Sequence, residues 1–308
     1  MELGPMAALG YAQVDRNAAQ VSYIGSAQNP GRQSGSGPRV ILANLLNTVS
    51  TGKTMKFDKH FPKEQLRPYI KYFVVSENDL ENEYKVFPSS GLVIGFQYRG
   101  QLSSVKDSIE IKLTTTGITG MTDGYKVFKN SANIGTILVY FTEIGFIHFT
   151  SHPANELFNL SLSLDYIFDK KSVAEVEEKL AITTTDKNRI KIVEQFLASQ
   201  LKDIQTDKLI VEAVKLIYQS NGTIRIKDLN EKLFISPSPF EKRFRKVVGT
   251  TPKKFASIVR FNSVLENLDR SKTLTEICYE NNFFDQAHFI KEFKQFTGDT
   301  PENFKRFL

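Results

Sequence analysis

The sequence predicts an α+β protein, with a β-rich N-terminal half supported by helices and an all-helical C-terminal third. Between residues 85 and 149, runs of β-branched and aromatic residues are separated by Gly, Ser, Asn and Asp, a pattern typical of short strands. After residue 206, apolar residues recur instead at helical spacing, and one pattern occurs twice. We therefore expect a small β-barrel or sandwich followed by a separate bundle of helices.

Length and composition limit the class of protein. A chain of 308 residues with 41% hydrophobic content is expected to fold as about two domains. The single cysteine excludes a disulfide framework and a cysteine-based zinc site. No apolar run reaches the roughly 18 residues that span a bilayer, and the N-terminus lacks the layout of a signal peptide. We expect a cytoplasmic protein with no membrane partner.

Residues 1–54 differ in composition from the rest. They mix Gly, Ala, Ser, Asn and Gln without a sustained period, and SAQNPGRQSGSGPR is typical of a linker. A disordered extension is expected there, with at most a short helix at residues 40–49. The abrupt change at Met55 favours a natural start at that residue, so the preceding segment would be a fused or mis-assigned leader.

Residues 55–205 are expected to form a β-rich sensory or dimerisation domain with supporting helices. Leu66, Tyr69, Ile70 and Phe73 would be the buried face of a helix over residues 64–75. Helical spacing returns at residues 156–168 and in two later segments, the first capped by Ser172. The expected strands are 85–87, 92–98, 109–113, 125–128 and 136–149, and the later helices are 172–181 and 186–201.

Residues 206–308 are expected to be a helical domain. Thr206 would cap a scaffold helix that ends at Asn221-Gly222, and a second helix would cover residues 226–233. Ser236 would cap a third helix, and a long helix over residues 252–268 would then lead to a second unit. That unit has a helix from residue 274, a turn at Asn281-Asn282, and a further helix capped by Asp285.

The two units are copies of one pattern. FISPSPFEKRFRKVVGTTPKKF and FFDQAHFIKEFKQFTGDTPENF share F-x-x-x-F followed by G-x-T-P-x-x-F. Repetition at a fixed period indicates a duplicated structural unit. Each unit is a short helix, a tight turn and a second helix, which predicts two helix-turn-helix motifs. The matched pairs are Phe240 and Phe289, Phe244 and Phe293, Gly249 and Gly298, Pro252 and Pro301, and Phe255 and Phe304.

The excess positive charge lies in this C-terminal third. Residues 223–308 contain 16 Lys and Arg against 11 Asp and Glu, which leaves +1 of the total +6 for the rest of the chain. Residues 223–260 alone have ten basic and three acidic residues, whereas residues 261–308 have six and eight. The first unit is therefore expected to make most phosphate contacts. The second unit would help to fix the position of the protein along the DNA and would contact some base edges.

A basic helix behind a tight turn suits the major groove, so double-stranded DNA is the expected partner. The stretch FFDQAHFIKEFKQFTGDTPENF and its upstream copy resemble the DNA-binding domain of the AraC/XylS family of bacterial transcription regulators. Asn282 stands where that family usually has Gly, and Phe304 where Tyr is common. The strands VFPSSGLVIGFQY and ILVYFTEIGFIHF are similar in pattern to the N-terminal region of one subgroup of AraC-like regulators.

The resemblance implies which side chains face DNA. By position, the first recognition helix would read base edges and bind phosphates, and the second would do the same with Lys294 near the backbone. Without the repeat, these residues would be interpreted as a solvated charged face. The implied set is Ser238, Glu241, Lys242, Arg245 and Lys246 on the first helix, and Gln286, Ala287, His288, Lys291 and Lys294 on the second.

Other chemistry has less support. His288 has no nucleophile or carboxylate placed beside it in the sequence, Cys278 falls at a core position, and the remaining histidines lack metal-ligand spacing. We expect no metal, no cofactor and no enzymatic activity, although an enzyme tethered by its DNA domain or a sequence-blind chromatin binder would be the alternatives. The expected function is a sequence-specific transcription regulator associated with the nucleoid. Other candidate partners are a small-molecule effector, RNA polymerase and a second copy of the chain.

Overall fold

The structure is a computed structural model that describes residues 24–25, 55–266, 268, 272–283 and 285–306. In these residues, two antiparallel sheets precede a helical region. Sheet I has the order β1-β4-β9-β6-β7, and sheet II has the order β11-β8-β5-β10-β3-β2. The strands are β1 Ile24–Gly25, β2 Met55–His60, β3 Ile70–Asn78, β4 Asn82–Val86, β5 Val93–Arg99, β6 Leu102–Lys106, β7 Ile109–Lys112, β8 Thr116–Thr119, β9 Lys126–Asn130, β10 Ile134–Phe141 and β11 Ser161–Ser163.

Two helices lie next to the sheets in the chain, and the rest form the C-terminal region. The described residues also contain four short 3-10 turns. Three lie between strands, at Glu64–Leu66, Phe146–His148 and Ala154–Leu157, and the fourth, Leu164–Tyr166, lies between β11 and α1. None of the helices in the described part of the chain combines the length and apolarity that crossing a bilayer requires. The helices are α1 Lys170–Ile182, α2 Asp186–Gln200, α3 Lys208–Gln219, α4 Ile226–Lys232, α5 Pro237–Val248, α6 Pro252–Glu266, α7 Leu274–Glu280, α8 Gln286–Thr297 and α9 Pro301–Arg306.

The N-terminal half is an open pair of sheets and not a closed barrel, so the sandwich alternative is correct. Successive side chains of a strand point to opposite faces. One face of sheet II packs against the helices, as in the edge-to-face contact of Phe96 with Phe196 of α2, whose ring centroids are 6.1 Å apart. The other face carries only a small buried cluster of Tyr72, Val74 and Tyr140. A cavity of about 410 Å³ remains between the sheets.

Three expected elements of the N-terminal half are wrong. Residues 64–75 form a 3-10 turn and strand β3, because Pro68 interrupts helical hydrogen bonding and a run of aromatic and β-branched residues follows it. Residues 156–168 contain two 3-10 turns and β11 in place of a helix. The strand expected over 136–149 ends at Phe141, before a 3-10 turn. Strands β2, β6, β8 and β11 were not expected.

Two helix caps also differ from expectation. Asp169, not Ser172, caps α1, since its carboxylate accepts from the Ser172 backbone N–H at 2.9 Å. Asp207, not Thr206, caps α3 by accepting from the backbone N–H groups of Leu209 and Ile210. In both cases the carboxylate accepts from the first turn, as an N-cap does.

The duplication of the C-terminal unit is confirmed by its geometry. The rings of Phe240 and Phe244 are 5.6 Å apart at 64°, and the equivalent Phe289 and Phe293 are 5.7 Å apart at 67°. Gly249 and Gly298 both end their helices in the left-handed conformation, with φ of 103° and 75°. Only glycine adopts this conformation without steric cost. The two units therefore fold alike from their recognition helices onward.

The long helix α6 joins the two units through their cores. Phe255 at its start contacts Phe244 of the first unit at 5.6 Å, and Phe261 contacts Phe293 and Phe296 of the second at 5.7 and 4.8 Å. Aromatic pairs at these separations stabilise a core beyond the area they bury. The separation of the units is thus set by one rigid helix. The expected spacing of about 34 Å, one turn of B-DNA, stays a prediction.

The expectation for residues 1–54 falls almost wholly outside the described residues, which include only the pairing of Ile24–Gly25 with β4 there. The short helix expected at residues 40–49 also lies outside them. The divisions at residues 54/55 and 205/206 stay predictions.

Candidate nucleic-acid interface

The first recognition helix, α5, begins and ends where its sequence dictates. Ser236 occupies the N-cap position, but its side chain makes no capping hydrogen bond, unlike the expected cap. Pro237 is the first helical residue, a position where the missing N–H of proline costs nothing. Phe240 and Phe244 are fully buried on its inner side. Because these two residues are four positions apart, the opposite side of the helix faces solvent.

The sequence-predicted residues of α5 all lie on that solvent-facing side. Ser238 stands in the first turn and Lys246 near the end, so the set extends along the helix. Glu241 and Arg245 form an exposed ion pair at 3.7 Å. Such a pair contributes little to stability and leaves Arg245 available to a phosphate. The five exposed residues are Ser238, Glu241, Lys242, Arg245 and Lys246.

The second recognition helix, α8, is capped by Asp285, whose carboxylate accepts from the His288 backbone N–H at 2.7 Å. This confirms the expected cap. The preceding turn contains Asn282 at φ 51°, as the tight corner requires. The sequence-predicted residues of α8 are again exposed: Gln286, Ala287, His288, Lys291 and Lys294. Neither recognition face is covered by the β-rich half.

Two ion pairs that the sequence analysis missed hold the recognition helices in place. Arg243 on α5 binds Asp207 through two nitrogens at 2.8–3.0 Å, so the residue that caps α3 also anchors α5. Arg260 on α6 binds Glu292 on α8 at 2.9 and 3.2 Å, and both side chains are largely buried. The Arg243 pair is bidentate, which fixes orientation as well as distance, whereas Arg260 binds both Glu292 oxygens through a single nitrogen. Their partners are more than thirty residues apart, beyond the reach of local pattern analysis.

Cys278 has the buried environment expected of a core residue, whereas His288 is exposed and, contrary to expectation, has a carboxylate beside it. The His288 ring lies 3.9 Å from the Glu292 carboxylate and tilts against Phe283. Cys278 is 7% exposed, and burial raises the pKa of its thiol, which disfavours the reactive thiolate. No group of three or more potential metal ligands occurs among residues that the structure describes.

The β-rich half contacts the C-terminal end of α8. Lys85 of β4 donates to the Thr297 carbonyl at 3.2 Å, and the Gln295 side chain donates to the Asp123 carbonyl at 2.8 Å. A Cβ on Gly298 would lie 2.5 Å from the Tyr125 ring, so glycine is needed there for space as well as for its φ. These contacts leave the outer face of α8 exposed while fixing its end.

The arrangement has the chemical properties of a nucleic-acid interface. Lysine and arginine side chains on exposed helical faces can neutralise phosphates. Amide and guanidinium groups can donate to base edges, and Ala287 offers a methyl contact. Because α6 and the Arg260–Glu292 pair connect the two helices, both faces belong to one rigid surface.

Comparison with known proteins agrees with this interpretation. Residues 229–306 match a family described as a helix-turn-helix domain, and residues 58–163 match a domain of unknown function, DUF6597. The Msm operon regulatory protein of Streptococcus mutans is 29% identical over 143 residues, which cover 45% of this chain and 51% of that protein. This chain thus matches about half the length of that regulator.

Solved structures show a more distant likeness. ToxT from Vibrio cholerae aligns with 77% of this chain and 98% of its own, at 12% identity and a TM-score of 0.43. A ToxT structure bound to an unsaturated fatty acid covers 77% and 95%, at 14% identity and a TM-score of 0.42. The AraC-like transcriptional activator CuxR covers 75% and 87%, at 15% identity and a TM-score of 0.30.

The fold and the exposed basic helices define a helix-turn-helix protein. Its C-terminal domain is of the AraC type, as the resemblance of its sequence implied. The family match and the curated relative point to regulators and not to enzymes.

Proposed function

We propose that the chain is a sequence-specific transcription regulator that places α5 and α8 in adjacent segments of the major groove. The observation that supports this most strongly is that two equivalent recognition helices, joined by α6, both keep their basic faces exposed. Bacterial promoter DNA in the nucleoid is the proposed partner, and RNA polymerase at the same promoter is a further one.

Each recognition helix is proposed to make both base and phosphate contacts. On α5, Ser238, Glu241 and Lys242 would contact base edges while Arg245 and Lys246 bind phosphates. Lysine and arginine favour guanine, whereas Gln286 on α8 would favour adenine, each good pair being worth about 1–3 kcal/mol. The rest of the α8 set is proposed to comprise Ala287, His288 and Lys291 near the bases and Lys294 near the backbone.

The test is operator binding as a function of salt. An operator is first selected from random DNA with the purified protein, and Lys242 and Arg245 are then changed together to Ala. Loss of one base contact and one phosphate contact should weaken binding at least tenfold and reduce the slope of log K against log salt by about 1. Lys187→Ala with Lys191→Ala on α2, both exposed, is the matched control. Unchanged affinity in the first variant would refute the proposal.

We propose further that the cavity between sheets I and II binds a small-molecule effector. Its volume of about 410 Å³ suits a small ligand, and its walls are mostly apolar, including Tyr84, Phe128 and Leu138. Lys126 also lines it, and its ammonium donates to Ser161 at 2.9 Å. Burial lowers the pKa of Lys126 to about 8. A ligand with an apolar body and an acceptor or anionic group fits these walls.

Strand β4 connects this cavity to the DNA-binding region. Tyr84 and Val86 line the cavity, and Lys85 between them points to the other side and binds Thr297 of α8. Neighbouring residues of a strand point to opposite faces, so β4 contacts the cavity on one face and α8 on the other. A ligand that displaces β4 would therefore also displace the Lys85 contact with α8.

A ligand that binds only the folded state raises the melting temperature. Small carboxylates with apolar bodies are the first probes, with Lys126→Met as the variant that keeps the stem but removes the charge. A shift in the wild type that disappears in the variant supports the site. No shift with any probe, or an equal shift in both proteins, counts against it.

A further inference from the structure

The outer edge of sheet I carries a short strand with unusual exposure. Strand β7 is last in the sheet order, so among the described strands it pairs only with β6. Asp107 and Ser108 link β6 to β7 in a two-residue turn with φ of 51° and 64°. All four residues of β7 are exposed, and Ile109 and Ile111 are 63% and 57% accessible. Proteins normally protect such edges because they pair readily with other strands.

The hydrogen bonds between β6 and β7 show which backbone groups of β7 point towards β6 and which point away from it. The Leu113 N–H donates to the Leu102 carbonyl at 2.9 Å, so this pair is of the hydrogen-bonded type. Hydrogen-bonded and non-bonded pairs alternate along an antiparallel ladder. From the register Ser104 with Ile111 and Val105 with Glu110, the backbone groups of Glu110 and Lys112 therefore point away from β6.

Charge then selects one register for an antiparallel partner of the same sequence. If Ile111 faces its own copy across a two-fold axis, Glu110 of each strand lies opposite Lys112 of the other. The outward-facing backbone groups of those residues then form hydrogen-bonded pairs, and both cross-strand pairs join opposite charges. Shifting by two residues either way would place Glu110 opposite Glu110, or Lys112 opposite Lys112. The strand is self-complementary in one register.

The apolar side chains support the same arrangement. Ile109 and Ile111 lie on the opposite face of β7 from Glu110 and Lys112, and Ile111 also lines the cavity between the sheets. In the selected register Ile111 would meet its copy, and Ile109 would meet Leu113 of the second chain. Pairing would thus cover apolar surface at the open side of the sandwich.

We propose that β7 is a self-association edge, at which two copies of the chain join their five-stranded sheets about a two-fold axis through Ile111. An isologous contact of this kind is the usual geometry of homodimers. Four residues per strand bury less than the roughly 1,000 Å² typical of stable complexes, so the dimer is weak in solution. Two copies on neighbouring operator sites have a higher effective concentration and associate more readily.

Sedimentation velocity of the full chain over a range of concentrations tests the proposal. Glu110→Pro removes an outward N–H while keeping the ladder to β6, and should abolish the dimer. Lys112→Glu puts two like-charged pairs across the axis and should weaken association about tenfold. In a Lys129→Ala background, which removes the intrachain partner of Glu110 at 3.2 Å, the double exchange Glu110→Lys with Lys112→Glu restores both opposite-charge pairs across the axis and should recover association.

Circular dichroism and melting temperature confirm that each variant is folded. A wild-type chain that remains monomeric at millimolar concentration overturns the proposal, as does association that is insensitive to Glu110→Pro. Failure of the charge exchange to restore a dimer lost in Lys112→Glu also contradicts the register. DNA affinity of the monomer for a single site is independent of these outcomes, so the proposed regulatory function is tested separately.

Discussion

The ammonium group of Lys85 donates a hydrogen bond of 3.2 Å to the carbonyl of Thr297, the last residue of the second recognition helix. The last carbonyls of a helix have no intrahelical partner and carry partial negative charge. Lys85 also lies over the Tyr125 ring at 4.7 Å, and that ring packs against Gly298. A strand of the β-rich half therefore completes the end of a helix in the DNA-binding half.

Replacing Lys85 with Ala should loosen that helix end. A hydrogen bond from a charged donor contributes about 1.5–3 kcal/mol, so amide exchange in the last turn of α8 and in α9 should accelerate at least tenfold. Hydrogen exchange measured by mass spectrometry checks this. Lys106→Ala, at the exposed end of β6, is the control. Unaltered exchange in the Lys85 variant would show that the contact does not hold the helix.

The Asp207 carboxylate both caps α3 and binds Arg243, and two substitutions can separate these interactions. Arg243→Ala removes the ion pair only, and because Arg243 is half exposed the expected loss is at most about 1 kcal/mol. Asp207→Ala also removes the cap of α3, which adds about 1 kcal/mol. Urea unfolding should therefore rank Asp207→Ala as clearly the less stable variant. Equal midpoints would mean that the cap contributes nothing.

Phe234 occupies a backbone conformation that suits its side chain poorly. It is 97% exposed and has φ of 51°, as does Asn282 at the corresponding turn of the second unit. Side chains with a Cβ are strained in this region, and asparagine tolerates it best after glycine. Phe234→Asn should raise stability by about 0.5–1 kcal/mol, and Asn282→Phe should lower it similarly. Thermal unfolding of both variants checks the pair, and a destabilised Phe234→Asn would contradict it.

Glu266 predicts a pH dependence of stability. Burial raises the pKa of its carboxyl to about 7, above the ordinary 4.5, at a small cavity that it shares with Lys71, Tyr218 and Asn262. The folded state then binds the proton more tightly than the unfolded state, so this residue costs nothing below pH 4.5. Its cost increases as pH rises from 4.5 to 7.

Glu266→Gln removes this cost. The melting temperature of the variant should exceed that of the wild type by a few degrees at pH 8, equivalent to about 1 kcal/mol after allowing for solvent screening, and should match it near pH 4. Glu302→Gln, an exposed residue of α9, serves as the control. A difference that is constant with pH would rule out titration as the cause.

The C-terminal half was predictable because its signals are local. Caps, left-handed glycines and a four-residue phenylalanine spacing occur within each unit, and their repetition distinguishes them from chance. The β-rich half was less predictable. Pro68 and the residues after it carry both helical spacing and strand propensity, and pairing with β10 decides between them. Short strands such as β8 and β11 have little intrinsic preference and form because their neighbours supply hydrogen bonds.

The exposed residues of the proposed site were predicted by sequence, but what orients them was not. Periodicity indicates that Lys242 faces outward, and the structure agrees. Periodicity cannot reveal that Arg243, the next residue, binds Asp207, or that Arg260 binds Glu292. Such pairs join residues distant in the chain, and only tertiary packing brings them together. The DNA contacts of the exposed residues stay a prediction.

Phe87, just beyond the end of β4, places its ring 6.3 Å from Phe261 and 5.9 Å from Phe304. Removing the first 205 residues would therefore remove an aromatic contact from the core of the second unit and expose apolar surface of Phe261 and Phe304 to solvent. A truncated chain of that kind should aggregate during purification. Polar replacements at Phe261 would not restore its solubility, because that ring also packs against α8.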